Sequence, residues 1–317
     1  MLFNKVGGGA EKVKINGKKV DNRLDLETDF AIKQLAYSGG LYISPLCAMY
    51  NPLLGKYLVL DNYKKRAFLL NPSGFQEEVN RWKEISTPPL NSTFIFFKDD
   101  EVIFIDSTNK FYKADIKEDG NAIYTNISNA FSEEFGRFWY DEETKELFGE
   151  SHSGDFKKFD FNSKTWTETA TYNRGLISRI GVIRNKKIII LESKSVVEFD
   201  GKTFTEKKDI LNVEVALSSK TRAGVLNGKI HIFSSLKIDN VQHSNIHAVE
   251  TEEYKFKRLR DINGLGISSS YGYNNCSDNN NKLALLCFGN DREHNIEITE
   301  IYRESCLLYT SDAADEL

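Results

Sequence analysis

The side chains of this 317-residue chain best suited to chemistry are its five histidines, the carboxylates near them, and its cysteines. His152, His243 and His294 each stand three or four positions from an aspartate: Asp155, Asp239 and Asp291. Lys237 lies beside the second of these pairs. An imidazole with a nearby carboxylate can hold a polar ligand, pass a proton or contribute to a divalent-cation site. The seven residues His152, Asp155, Lys237, Asp239, His243, Asp291 and His294 therefore form a candidate ligand-binding set. The bland alternative is that they are solvated turn residues, because Gly, Asn, Asp and Ser turns recruit polar neighbours. His231 and His247 lie in apolar runs, where a packed or edge position in a strand is expected. Cys47 and Cys287 are placed like small hydrophobes, and Cys276 sits in the polar stretch Asn274 to Asn281 with no histidine nearby. No catalytic residue and no metal ligand set is assigned, and no cofactor is implied.

The elements that would carry these residues repeat. A charged residue followed by a short apolar run recurs at Lys56 to Leu60, Glu101 to Ile105, Lys145 to Phe148, Lys187 to Ile190, Lys229 to Ile232 and Lys282 to Leu285. Counted from Tyr57, Val102, Leu147, Ile188, Ile230 and Leu283, the intervals are 45, 45, 41, 42 and 53 residues. A second run follows each, as at Phe68 to Leu70 and Phe111-Tyr112. An aromatic then closes most units: Trp82, Tyr124, Trp166, Phe204, and Tyr254 with Phe256. Another strand precedes several of the units, as in Thr93 to Phe96, Phe138 to Tyr140 and Ile180 to Ile183. Four short strands in a period of about 40 to 50 residues is the signature of a β-propeller blade, a sheet too small to bury both faces without stacked neighbours. The expectation is an all-β chain: a β-propeller of about six four-stranded blades, the last incomplete. The blades fall roughly at 41–86, 91–128, 134–170, 176–210, 220–260 and 267–305. The stretch with the best helical spacing is Gly74 to Lys83. In such a blade, the connections between the second and third strands open on one face of the disc. Ser151 to Asp155, a long Ser234 to Asn245 loop, and Gly289 to His294 would bring the seven candidate residues there.

Val225 to Phe233, in which Asn227-Gly228 leads into an apolar strand, resembles the second strand of a kelch repeat. Phe159-Asp160 through Thr165-Trp166 resembles the later part of that repeat, and Phe199 to Phe204 repeats it with Phe in place of Trp. The family's double glycine is missing; the nearest positions read Asp99-Asp100, Glu192-Ser193, Ser234-Ser235 and Gly289-Asn290. The opening Met1 to Phe30, with Gly7 to Gly9 and an alternating Lys12 to Val20 across Asn16-Gly17, resembles the start of kelch-like structural proteins of bacteriophage and prophage tail modules. It reads as a leader with a small β-hairpin, plus the strand that zips the ring shut. The resemblance implies a binding or scaffold propeller whose partner is a protein or a surface glycan.

Two propeller chemistries are tested by residue type. A galactose-oxidase-like copper site needs Tyr and His ligands with a Tyr-Cys cross-link. A sialidase-like site needs an arginine cluster and repeated Ser-x-Asp-x-Gly-x-Thr-Trp turns, of which only Lys164-Thr165-Trp166 is an echo. Neither pattern is met, and fold alone does not specify an activity. The leading expectation is a non-catalytic virion-associated module contacting a host surface molecule or a structural protein. The alternative is a cellular kelch-type adaptor, and a carbohydrate-active enzyme ranks third.

The last segment, Cys306 to Leu317, resembles a translated sequencing adapter and is set aside from fold reasoning. The native chain is then expected to continue past Ser305, leaving the last blade without its fourth strand. Of 46 acidic residues, removal of Asp312, Asp315 and Glu316 leaves 43 against 42 basic ones, so charge makes no case for nucleic acid or anionic lipid. Three cysteines remain, an odd number that argues against a disulfide framework. No apolar run reaches the length of a membrane span and no leader marks secretion, so the expected place of synthesis is the cytoplasm.

Overall fold

The computed structural model describes residues 13–15, 18–20, 30–36, 45–61, 66–71, 82–89, 92–128, 135–151, 153–172, 180–192, 194–215, 222–226, 228–261, 265–266, 276–278, 282–289 and 296–303. The chain divides into a small unit, Met1–Ala31 with Arg303–Leu317, and a large one, Ile32–Tyr302. The small unit holds the hairpin expected across Asn16-Gly17: β1 (Val13–Ile15) pairs antiparallel with β2 (Lys18–Val20). A strand β3 (Phe30–Ala36) follows.

Blade 1 is β4 (Pro45–Asn51), β5 (Lys56–Asp61), β6 (Arg66–Leu70) and β7 (Trp82–Glu84), hydrogen-bonded in that order. Blade 2 is β8 (Ser92–Lys98), β9 (Glu101–Asp106), β10 (Phe111–Ile116) and β11 (Ala122–Asn126). Blade 3 is β12 (Phe135–Asp141), β13 (Glu146–Ser151), β14 (Asp155–Asp160) and β15 (Thr165–Thr171). Blade 4 is β16 (Ile180–Arg184), β17 (Lys187–Glu192), β18 (Ser195–Phe199) and β19 (Phe204–Lys207). Between blades 4 and 5, β20 (Val213–Val215) joins the next sheet. Blade 5 is β21 (Arg222–Leu226), β22 (Lys229–Ile238), β23 (Val241–Glu252) and β24 (Lys255–Asp261). The sixth sheet holds β25 (Leu265–Gly266), β26 (Cys276–Asp278), β27 (Lys282–Gly289) and β28 (Ile296–Arg303).

Each repeated apolar phrase is therefore the second strand of its sheet, each following run the third, and each closing aromatic belongs to the outer hairpin. The second strands of blades 1 to 5 are buried on both sides, as in β5, where Tyr57 to Asp61 are all inaccessible. That is why they read as continuous apolar runs instead of alternating ones. Outer strands such as β11 and β15 are mostly exposed and polar, which blunts edge pairing. Tight turns join first to second strands: Asp99-Asp100 and Asn185-Lys186 both adopt positive φ at the two central positions, the type I′ geometry of a two-residue hairpin.

Aromatic rings fill the wedges between sheets. Phe111 stacks on Phe159 at 4.3 Å and Phe96 meets Tyr140 at 4.4 Å, joining blades 2 and 3. Phe156 against Phe199, at 5.0 Å, joins blades 3 and 4. The crossing segments after β7 and β15 also bind the next blade's outer hairpin. Ser86 accepts from Tyr124 and donates to Gly120, and Tyr172 packs on Phe204.

The sixth sheet shows how the ring is finished. Its order is β25-β27-β28-β3, with β26 also paired to β27, so the outer edge comes from the amino side of the chain. Among the described residues, β3 stands beside β28 as the outer strand of this sheet. Strand β26 packs against β21 of blade 5 and β4 of blade 1, which closes the circle.

Three local expectations are corrected. Ser234 to Asn245 is no loop: β22 and β23 continue as a ladder pairing Leu236 with His243 and Ile238 with Val241, tipped by Asp239-Asn240 with φ of 47° and 67°. The alternation Leu236, Ile238 turns two side chains into the core, and the polar composition of the stretch hid it. Cys276 begins strand β26 and lies in no loop. Of the stretch with helical spacing, 74–81 lie outside the described residues, while Trp82 and Lys83 open strand β7, paired to Leu70 and Leu69.

Candidate functional site

Among the seven candidate residues, Asp155, Lys237, Asp239 and His243 are described; His152, Asp291 and His294 lie outside the described residues. Asp155 opens β14, and its carboxylate accepts from Ser153 Oγ at 2.6 Å, Thr171 Oγ1 at 2.8 Å and Ser151 Oγ at 3.4 Å. The hydrogen bond from Ser153, then that from Thr171, holds this carboxyl below its ordinary range. Lys237 pairs with Glu214 of β20 at 3.5 Å. Asp239 N donates to Asn212 O at 3.0 Å, and Asn212 Nδ2 donates to the Asp239 carboxylate at 3.3 Å. His243 is half-buried opposite Leu236. The hairpin thus unites Lys237, Asp239 and His243 on blade 5, while Asp155 stands on blade 3, with blade 4 between them.

His231 and His247 are fully buried on neighbouring strands of blade 5. Their Nδ1 and Nε2 atoms are 2.9 Å apart, so one neutral imidazole donates to the other, and Phe233 stacks on His247 at 4.2 Å. Burial, reinforced by Lys229, pushes His231 down to about 3. Burial, His231 and Arg260 push His247 well below its ordinary value. Strand packing was expected for both; the bond between them was not visible in sequence.

Sequence reasoning missed two clefts that the described residues form. One, of about 470 Å³, lies between blades 4 and 5. At its centre Tyr254 is buried, with Arg184 and Lys207 over its ring at 5.0 and 4.9 Å. Its hydroxyl donates to Glu198 at 2.6 Å, and Glu198 also receives Lys187 at 2.8 Å and Lys207 at 2.6 Å. Burial alone would raise Glu198, but the bonds from Lys187, Lys207 and Tyr254 outweigh it and hold the carboxyl at about 2. Glu250 accepts from Arg184, from Ile230 N at 3.0 Å and from Tyr254 N at 2.7 Å. The second cleft, of about 460 Å³, lies where the crossing from blade 1 meets the turn after β9. Its lining includes Asp106, Lys110, Tyr112 and Tyr124. Among the described residues, no group of three or more His, Cys, Asp or Glu side chains is gathered as a metal site would need.

No known protein family matches the chain, and no curated protein matches it either. Solved structures do. A structure assigned as a gluconolactonase aligns with TM-score 0.57 and 9% identity, covering 89% of this chain and 97% of its own. A structural-genomics protein of unknown function from Bacteroides thetaiotaomicron aligns with TM-score 0.53 and 13% identity, over 94% of this chain and 83% of that one. The N-terminal domain of Nup159 aligns with TM-score 0.50 and 10% identity, over 87% and 96%. At such identities the likeness extends to the fold alone. The chain is a β-propeller, an architecture compatible with a binding or scaffold role, and among the described residues no helix is long and apolar enough to cross a membrane.

Proposed function

We propose that this propeller is a non-catalytic binding module of the kelch-like kind, displayed on a virion tail or baseplate, where it contacts a host surface molecule or a neighbouring structural protein. One observation carries the non-catalytic part. The acids and bases gathered in the cleft between blades 4 and 5 are spent on each other: Arg184 on Glu250, and Lys187, Lys207 and Tyr254 on Glu198. A group so paired is stabilised in its resting charge state and is a poor proton carrier near neutral pH. The recognition surface is assigned to the turns between second and third strands. Ser151, Ser153 and Thr171 staple the Asp155 carboxylate by hydroxyl-to-carboxylate bonds, and the β22-β23 hairpin presents Lys237, Asp239 and His243 at its tip. His152, Asp291 and His294 extend the same proposal. Rigid display of several weak contacts suits binding, because little freedom is lost on association.

The virion part rests on the kelch-like phrases and the amino-terminal resemblance. Immunogold labelling of particles from a culture carrying the gene tests it. Gold on the tail or baseplate is expected. Antigen confined to the host cytosol would replace this reading with the cellular kelch-type adaptor. Simultaneous substitution of Asp239 and His243 by alanine is expected to abolish attachment to the partner in a sedimentation assay; unchanged attachment would remove the hairpin tip from the surface.

A further inference from the structure

We propose that the cleft between blades 1 and 2, walled by Tyr112 and Tyr124 and floored by the turn Asp106 to Lys110, is a subsite for a neutral glycan. The inference rests on the binding-module reading above and gives it a ligand class.

The strand register places the walls. Tyr112 pairs with Phe104 on one side and Asn126 on the other, and Tyr124 pairs with Ala114, so Phe104, Tyr112 and Tyr124 share one face of blade 2. Phe104 is wholly buried and serves as backing: Tyr124 stands edge-on to it at 5.3 Å and 89°. The far end of Tyr124 is fixed too, its hydroxyl donating to Ser86 O at 2.8 Å. Tyr112 is tied through its hydroxyl to Asp106. Both rings remain half-exposed.

Beneath them the turn is built around one buried carboxylate. Asp106 Oδ1 accepts from Thr108 N at 2.8 Å, Thr108 Oγ1 at 2.8 Å and Lys110 N at 3.0 Å. Asn109 takes a positive φ of 60° to complete it. Asp106 is 5% exposed and therefore positions its neighbours without meeting a ligand itself. Exposed Ser107 and Thr108 and the half-buried Lys110 are left at the mouth.

The cleft volume of about 460 Å³ falls within the range of small-ligand sites, ~300–1,000 Å³. Rigid tyrosines offer a large amphipathic contact at low entropic cost, which matches the apolar C–H faces of a pyranose. Hydroxyls and a single ammonium match its ring hydroxyls. One buried carboxylate against one lysine leaves the site nearly neutral, and the cation cluster that a phosphate or sulfate would call for is not what lines it. A neutral polyol with an apolar face satisfies both halves of this chemistry.

The test uses the full chain on an array of immobilised neutral hexose and N-acetylhexosamine oligosaccharides beside sulfated and sialylated ones, with calorimetry on a soluble hit. Tyr112→Ala is expected to weaken binding about tenfold, with a lowered thermal midpoint because its hydroxyl is tied to Asp106, and Lys110→Ala by a smaller factor with the midpoint unchanged. Because Tyr124→Ala would disturb its packing on Phe104, Tyr112 and Lys110 carry the test. Sugar binding that survives both substitutions would overturn this site and leave the binding-module reading intact. Recognition restricted to anionic sugars, or no recognition of any sugar, would overturn the ligand class. Attachment of the same preparation to whole cells separates that outcome from failure of the binding role.

Discussion

At the scale of single residues, the His231–His247 pair sets the acid limit of the fold. Both imidazoles are buried and neutral, and burial pushes both below the ordinary value of 6.5. Below pH ~6.5 the unfolded chain takes up protons that the folded chain refuses, down to about 3 for His231. The stability they contribute is therefore complete at neutral pH and declines as pH falls through 6.5. Urea midpoints at pH 7.5, 6.0 and 5.0 are expected to fall in that order. The double substitution His231→Leu with His247→Leu should flatten that slope, and an unaltered slope would show that other groups carry it. Glu198, held at about 2, adds a separate loss that begins only below pH ~4.5. A second residue-level prediction concerns Gly181, where an added Cβ would lie 1.9 Å from the Trp139 ring. Gly181→Ala should cost about 1–3 kcal/mol in urea denaturation, because the ring has no free space to enter. The strand around Gly181 could be read from its apolar neighbours. The ring pressed on it from the preceding blade could not, because that contact depends on how two sheets stack.

At the scale of elements, the chain announces its strands and hides some of their ends. The second strands of blades 1 to 5 were legible because doubly buried strands are continuous apolar runs. The β22-β23 extension was not, because Lys237, Asp239, Asn240, Gln242 and His243 mask the alternation of Leu236 and Ile238. Leu236 is fully buried, so Leu236→Ala should cost ~2–5 kcal/mol, whereas in a solvent loop it would cost under ~0.5 kcal/mol. Asn212 pins the same hairpin, accepting from Phe256 N at 2.7 Å and donating to Phe256 O at 2.9 Å. Asn212→Ala strands those two partly buried backbone groups, and a loss of about 1–3 kcal/mol in the denaturant midpoint is expected. The candidate site fared as its elements did. Asp155 and the hairpin tip were proposed from residue type alone. The Tyr112–Tyr124 cleft was missed because it unites a crossing segment, a turn and two outer strands, which no single run of sequence displays.

At the scale of the molecule, six sheets make one ring only because β3 completes the last of them. A chain lacking residues 1–36 should therefore lose its single cooperative unfolding transition, the last sheet exposing an unpaired edge. Cooperative unfolding of that truncated chain would show that ring closure does not depend on the amino-terminal strand. The period of the apolar phrases made the blade number legible; the strand that closes the last sheet was expected near the amino end, but no periodicity fixes its position there. A ring that binds without reacting, as proposed, releases its partner unchanged. Equilibrium attachment of the purified chain to intact host cells, followed by mass analysis of the surface material after prolonged incubation, checks this. Saturable, fully reversible attachment that leaves the surface molecules unaltered is the result predicted here. Release of cleaved or oxidised fragments that scales with incubation time would contradict it.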